Sequence, residues 1–513
     1  MTDARRFFLS FWFLAALLTA ARIVALTATP ANLGPDEAQY WFWSQSPAFG
    51  YFSKPPLIAW AIAATTAAFG DAEWAVRLSA PLFHFGAAAF LYLAGRRLFD
   101  RRIAFWAGLG WITMPGVILS SFIIATDAPL LFFWSGAIYV LVRIVKSERA
   151  GLSDFAALGA MIGLGLLSKY AMIYFPAGLA VAAALTPAVR RALFRPQMAA
   201  TIAIALALVT PNLLWNAQND FQTLSHTGAN ANWSGDLFQP LNLLAFLAGQ
   251  IAVAGPVPVA ALAVAAAAAL RFKNPGGKGA GAAARTGVGT GAGATDDVDG
   301  ALWRTLIILA LTPLVIVIVQ AFISRAHANW AASAYPSAIL ATSAFLFRRR
   351  AGWAAKGSVG LHAALAAAFL AAMTNFSLID RLGLGRATME IRGWKAHAAA
   401  VAEAFDAAPG RYEAVAIDDR SLMGAVLYYE RARDFTVVAL DPNRSVDHHY
   451  EAFMAIDPAR LRRVLFVSIL DSDAHVSYRF RDIAPLGAHE VAIGGEKRAY
   501  SFFDISGYYG NSL

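Results

Sequence analysis

Long apolar stretches recur along the first three quarters of the chain, and each can cross a lipid bilayer, which takes about 20 residues in a helix. Of the 513 residues, 58% are hydrophobic and only 15% are charged, whereas soluble domains have roughly 45–50% apolar and about 25% charged residues. A single water-soluble core is therefore excluded. The sequence predicts an all-α polytopic membrane domain with about 11 transmembrane helices, near residues 7–28, 74–95, 103–124, 128–145, 155–168, 170–187, 197–215, 241–270, 305–323, 334–347 and 358–378.

The basic residues of this part alternate between the two sides of the membrane. Residues 1–378 contain 26 Lys and Arg, and 21 of them fall in the N-terminal segment and every second loop. Cytoplasmic segments carry such an excess of Lys and Arg. The pattern predicts a cytoplasmic N-terminus, and an odd number of spans then places the C-terminal part outside the cytoplasmic membrane.

Residues 379–513 have a different pattern. Short β-branched runs, YEAVAIDD, DFTVVALDP and RVLFVSIL, are accompanied by the helical patterns GWKAHAAAVAEAFDAA and RSLMGAVLYYERA. The sequence therefore predicts a C-terminal extracytoplasmic α/β domain with a parallel or mixed sheet. We predict that residues 1–378 form the membrane domain, which includes a first loop, residues 29–73, on the outer side.

Gly, Ala and Thr dominate residues 274–300, which predicts a flexible cytoplasmic linker over residues 271–304. These glycines match no phosphate-binding loop, and no GxGxxG follows a predicted strand. The net charge of +9 arises from the cytoplasmic loops, so no nucleic-acid partner is expected. The chain has no cysteine, which excludes disulfides and thiolate metal sites.

Few charges lie on the predicted outer side, and ionisable groups this close to hydrocarbon are costly unless they are paired, solvated or functional. Any single one could be a residue whose charged end reaches the interface. As a set, they favour a site for an anionic, membrane-borne substrate. The basic members are Arg22, Lys54, Arg77, Lys169 and Arg325, and the acidic ones are Asp36, Glu37, Asp71, Glu73, Asp127, Asp220 and Asp236.

Two outer segments contain the most informative acids. In the first loop, GPDEAQYWFWSQSPAFGYFSKPPLIAW, Asp36 and Glu37 open an aromatic helix. An interfacial aromatic belt explains the aromatic residues but not the acids. In SFIIATDAPLLFFW, Asp127 begins a span, and an N-cap role is the structural alternative. Carboxylates in an outer cavity suit a base that deprotonates an acceptor hydroxyl.

The first-loop acids, the following KPPLIAW, the second-loop ATDAPL and the segment GLLSKY resemble the C-type glycosyltransferases of the protein O-mannosyltransferase class, and most closely the bacterial lipid A aminoarabinose transferase group. The resemblance covers Phe7 to about Leu378. It implies a polyprenyl-phosphate sugar donor, transfer at the outer face of the bacterial inner membrane, and inversion at the anomeric carbon.

The resemblance also implies roles for single residues. Asp36 matches the first-loop general base, with Glu37 beside it, and Asp127 matches the second-loop acid. Lys54 and Lys169 match lysines that bind the donor phosphate. The relatives have a metal-binding glutamate where this chain has Ser53, so a divalent metal cofactor stays open. His226 in LSHTGANANW is a candidate remnant of that metal site, and an ordinary solvated histidine is the alternative.

The segment ISRAHANWAASAYP supplies Arg325 and His327 as further candidates for donor phosphate binding, because fixed cations stabilise a leaving phosphate. An interfacial anchor explains Arg325 equally well. The alternative to an enzyme is a transporter or lipid flippase, which usually shows repeated halves; no internal repeat is evident. The acceptor stays open among lipopolysaccharide or lipid A, another glycan, a lipid and a protein, with the rhizobial lipopolysaccharide galacturonosyltransferases as one subgroup.

Overall fold

A computed structural model describes residues 3–233, 237–271, 292–441, 443, 445–457, 461–474 and 476–508. The chain divides into two compact units. The helical unit comprises Met1–Val24, Arg77–Phe221 and Thr227–Ala368, and the loop–sheet unit comprises Ala25–Val76, Gln222–His226 and Phe369–Leu513. The first loop thus packs with the C-terminal region, whereas the sequence assigned it to the membrane domain. Asp236 lies outside the described residues.

Helices dominate the chain up to the C-terminal region. Those before the predicted linker are α1 (Asp3–Ala28), α2 (Pro35–Ser44), α3 (Leu57–Phe69), α4 (Glu73–Arg77), α5 (Ser79–Leu98), α6 (Arg101–Ile112), α7 (Pro115–Ser120), α8 (Asp127–Lys146), α9 (Leu152–Ser168), α10 (Tyr174–Leu185), α11 (Pro187–Leu193), α12 (Met198–Gln218), α13 (Gln222–Ala229), α14 (Pro240–Ala254) and α15 (Pro256–Arg271). Those after it are α16 (Ala292–Ile323), α17 (Tyr335–Arg348), α18 (Gly352–Thr374), α19 (Phe376–Arg381), α20 (Trp394–Asp406), α21 (Arg420–Tyr429) and α22 (His449–Phe453).

Among the described residues, seven helical segments are long and apolar enough to cross a membrane, or eight if the bent pair α14–α15 counts as one. They confirm a polytopic membrane protein, while the count of eleven stays a prediction. The other predicted spans fall on shorter or broken helices, namely α6–α7, α9 and α10. The seven are Phe7–Ala28, Glu73–Leu98, Asp127–Lys146, Met198–Gln218, Val298–Ile323, Ala328–Arg348 and Gly352–Thr374.

Proline and glycine explain two of the breaks. Met114 is extended because the following Pro115 disfavours the helical conformation, and this divides the span predicted near 103–124. Gly255 has φ +87°, a conformation that favours glycine, and it separates α14 from α15, which meet at 112°. The predicted linker also differs, because residues 292–304 belong to α16 and residues 272–291 lie outside the described part.

The C-terminal region folds into a five-stranded mixed sheet of order β2-β1-β3-β5-β4, which confirms the α/β prediction. Strands β1 (Ala414–Ile417), β2 (Val437–Ala439) and β3 (Arg463–Ser468) are parallel, and they are the three β-branched runs of the sequence. All four residues of β1 are buried, as expected for a central parallel strand. The predicted helical patterns correspond to α20 and α21.

A long antiparallel hairpin, β4 (Phe480–Ile493) and β5 (Glu496–Tyr508), completes the sheet. Gly494 and Gly495 form its turn, both at positive φ. The register shifts by one residue between Pro485 and Gly487, and most of β4 is solvent-exposed at the sheet edge. This hairpin was not predicted, although a Gly-Gly pair between two β-rich runs is a recognised hairpin signal.

Candidate active site

Asp36 lies in the first turn of α2, within the loop–sheet unit. Helix α2 begins at Pro35, a favoured first helical residue, after the extended Gly34. Glu37 is buried and its Oε2 accepts the Gly34 N–H at 2.9 Å, so it caps its own helix. The Asp36 side chain is 60% exposed. Of the two predicted acids, Asp36 is therefore the one that a substrate can reach.

The Asp36 carboxylate binds an arginine of the C-terminal region. Nη2 of Arg420 donates to Asp36 Oδ1 at 2.8 Å, and Nη1 donates to Gln39 Oε1 at 2.9 Å. Burial lowers the pKa of Arg420, but the charge of Asp36 and the hydrogen bond to it raise this pKa by more. The sequence analysis missed Arg420, because no local pattern joins residues that are 384 positions apart.

Lys54 and His226 also belong to this unit. Lys54 is half-buried, and its carbonyl accepts the Tyr51 N–H at 3.2 Å. His226 lies against Phe52, with ring centroids 5.6 Å apart. Burial, together with the positive charges of Lys54 and Arg420, lowers the pKa of His226 below its usual value, although Asp36 opposes this shift. His226 is therefore neutral at pH 7 in a positively charged neighbourhood.

The helical unit contains the second predicted acid. Asp127 is the first residue of α8, and Thr126 occupies the N-cap position, so the N-cap alternative for Asp127 is wrong. Its carboxylate is 10% exposed and accepts from Lys169 Nζ at 2.8 Å through Oδ1 and from Asn329 Nδ2 at 2.9 Å through Oδ2. Lys169 reaches it from an extended residue just after α9. Asn329, which the sequence analysis missed, is 202 positions from Asp127.

Arg325 and His327 precede a 3-10 helix, Ala328–Ala334, and both are solvent-exposed. The Arg325 carbonyl accepts from Gln320 Nε2 at 3.1 Å, and the His327 ring lies 5.5 Å from that of Trp330. Asn329 connects this segment to Asp127. The segment therefore contributes a direct contact to the buried acid, and the side chains of Arg325 and His327 are exposed to solvent.

No three His, Cys, Asp or Glu side chains gather as metal ligands within the part of the chain that the structure describes. Among the described residues, the charged groups that shift the pKa of His226 are Lys54, Arg420 and Asp36, and of these three Asp36 is the metal-ligand type. Two cations with one carboxylate do not fit a divalent metal. The arrangement fits an anionic group instead.

The long apolar helices and the C-terminal mixed sheet are the architecture that the resemblance to C-type membrane glycosyltransferases implies. The family described as dolichyl-phosphate-mannose-protein mannosyltransferase matches residues 53–215. The lipid A galacturonosyltransferase RgtD of Rhizobium johnstonii is 31% identical over 88% of this chain and 89% of its own length. The lipopolysaccharide core galacturonosyltransferase RgtA of the same organism is 31% identical over 47% of this chain and 50% of its own length.

The chain therefore belongs to the membrane glycosyltransferase family that contains RgtD. The fold is that of ArnT from Cupriavidus metallidurans in the apo state, with a TM-score of 0.63 at 16% identity over 98% of both chains. The structure of the same ArnT bound to undecaprenyl phosphate gives a TM-score of 0.62 at 15% identity, over 95% of this chain and 96% of that one. The relatives are glycosyltransferases, which confirms the predicted enzyme class against the transporter alternative.

Proposed function

We propose that the protein transfers a galacturonosyl residue from a polyprenyl-phosphate carrier to lipid A or to the lipopolysaccharide core. The 31% identity to RgtD over nearly the full length of both chains carries this proposal. The similarity to an ArnT fold that binds undecaprenyl phosphate supports a polyprenyl-phosphate donor. The charge bias of the loops favours transfer at the periplasmic face of the inner membrane, with the N-terminus in the cytoplasm.

Asp36 is the general base of this mechanism. Its exposed carboxylate accepts the proton of the acceptor hydroxyl while that oxygen attacks the anomeric carbon. The bond from the anomeric carbon to the phosphate oxygen breaks, and the polyprenyl phosphate leaves with the electron pair. Attack from the face opposite the leaving group inverts the anomeric configuration. Glu37 contributes by capping the helix that presents Asp36.

Cations stabilise the charge that grows on the leaving phosphate. Lys54 supplies one from the first loop, next to a neutral His226. In the helical unit, Lys169 is the phosphate-binding lysine that the resemblance implies, and its ammonium donates to Asp127 Oδ1 at 2.8 Å. Asp127 fixes the position of Lys169. The exposed Arg325 and His327 are further phosphate contacts in the same role.

A transfer assay tests the function. The purified protein is given polyprenyl phosphates that carry labelled galacturonic acid, aminoarabinose or mannose, with lipid A or core oligosaccharide as acceptor. Transfer of galacturonic acid to lipid A or core is the expected result. Transfer of another sugar, or no transfer in a preparation that is folded and monodisperse, would refute the proposed substrate.

A further inference from the structure

The C-terminal α/β domain reaches into the first loop through Arg420. We propose that Arg420 is a positioning residue that holds Asp36 in the orientation for proton abstraction, so that the C-terminal domain completes the active site. The proposal rests on the proposed function, in which Asp36 is the base. It assigns a purpose in catalysis to the C-terminal α/β domain.

Arg420 contacts two side chains on one face of α2. Asp36 and Gln39 are three residues apart, so their side chains lie on the same side of the helix. Arg420 binds both through different nitrogens, at 2.8 and 2.9 Å. A planar guanidinium fixes two acceptors in a way that an ammonium cannot. Because Arg420 binds Oδ1 of Asp36, Oδ2 is the oxygen that receives the proton.

Arg420 is itself held by the strand–helix junction at the carboxyl end of β1. Asp419 caps α21, because its Oδ1 accepts the Leu422 N–H at 2.8 Å. The Tyr500 hydroxyl of β5 donates to the same oxygen at 2.7 Å. The residue that presents the guanidinium is therefore anchored in the centre of the sheet, and its backbone has little freedom.

Further contacts fix α21 to the first loop. A Cβ on Gly424 would lie 3.3 Å from the Cβ of Ala38, so the two helices approach closely at a glycine. At the other end of α21, the Tyr429 hydroxyl accepts the Leu33 N–H at 2.9 Å and the Tyr428 hydroxyl donates to the Asp71 carbonyl at 2.5 Å. The distance from Arg420 to Asp36 is thus set at several points along the interface.

The position of this contact in the sheet has a general meaning. Open α/β sheets bind ligands in the crevice at the carboxyl ends of their parallel strands. Here β1 lies between β2 and β3, and Arg420 follows β1 at that edge. Many α/β enzymes bind a cofactor at the carboxyl ends of their parallel strands. In this protein the same end of the sheet contacts α2, the helix that contains the proposed base.

Arg420→Gln, Arg420→Lys and Gln39→Leu in the full-length enzyme test the proposal. We expect Arg420→Gln to lower kcat about 10- to 100-fold, in the range that misplaced catalytic groups cost, with the KM for donor changed less than about twofold. Arg420→Lys should recover part of kcat, and Gln39→Leu should cost less than Arg420→Gln.

The matched control is Arg433→Gln, which removes another arginine of the same domain that binds Asp406 and Glu430; it should keep wild-type kinetics. In an Asp36→Asn background, Arg420→Gln should add little further loss, because both changes act on one step. If Arg420→Gln unfolds the protein, Gln39→Leu decides the question through kcat. Wild-type kcat in a folded Arg420→Gln variant, or in Gln39→Leu where Arg420→Gln unfolds, would overturn the positioning role. An active Asp36→Asn enzyme would instead overturn the proposed base itself.

Discussion

Two of the three predicted acids, Asp36 and Asp127, have opposite surroundings. Asp36 is 60% exposed and one of its oxygens binds Arg420. Asp127 is 10% exposed and both of its oxygens accept hydrogen bonds, from Lys169 and Asn329. A carboxylate that must gain and lose a proton needs access to the acceptor, while one with both oxygens occupied is suited to hold its partners in place. Similar motif positions therefore correspond to different physical roles.

The largest expected effect is that of Asp36→Asn. The amide keeps the shape of the side chain but cannot take a proton, so kcat should fall on the order of 100-fold or more. The melting temperature should change little, because the group is exposed. Steady-state transfer and a thermal melt on the same preparation measure both. A nearly normal kcat would contradict the role of Asp36 as the base, and with it the proposed difference between Asp36 and Asp127.

Lys169→Ala comes next, and it should affect both activity and stability. The change leaves the buried Asp127 with one partner, which costs about 1–3 kcal/mol of unfolding free energy, and it removes a proposed phosphate contact. Donor turnover should fall roughly tenfold or more. The control is Lys146→Ala, since Lys146 also forms a lysine–aspartate pair, with Asp299 at 2.8 Å. If Lys169→Ala lowered stability alone, the pair would be purely structural.

Lys54→Ala should weaken phosphate binding with less effect on stability than Lys169→Ala. Lys54 is half-buried in a loop between Ser53 and Pro55, so its loss should reduce donor turnover about tenfold with a small change in melting temperature. The exposed Lys497→Ala is the control. An unchanged rate would leave Lys169, Arg325 and His327 as the phosphate contacts to test.

The smallest effect concerns pH and two adjacent histidines of the loop–sheet unit, His448 and His449, of which His449 packs against Phe42 and Trp43 of α2. Burial lowers the pKa of His448 and of His449 to about 4, while an unfolded histidine titrates near 6.5. Between these values the unfolded state binds more protons, so stability should fall as the pH drops from about 6.5 to 4. Melting temperatures of the wild type and His449→Gln over this range provide the test. The variant should show a shallower slope, and parallel curves would contradict the assignment to His449.

Sequence patterns predicted most of the fold and the two carboxylates Asp36 and Asp127, but not all of the residues that contact them. Spans, parallel strands and the helices between them follow from local periodicity, and the motifs around Asp36, Lys54, Asp127 and Lys169 are short. Arg420 and Asn329 could not be found this way, because their partners are hundreds of positions away. Their pairing depends on tertiary packing. The helix breaks at Met114 and Gly255 were in principle readable from the prolines that follow them.

The edge strand β4 bears on how the protein behaves when it is concentrated. An open sheet edge offers unpaired backbone groups to a strand of another molecule, which is a common route to aggregation. In β4, Pro485 has no N–H to donate to another strand. The register shift beside Pro485 bends the strand, and the central residues of the strand are exposed. At the opposite edge, β2 has only three residues. These features of β4 and β2 should disfavour pairing between the sheets of copies that are crowded in one membrane.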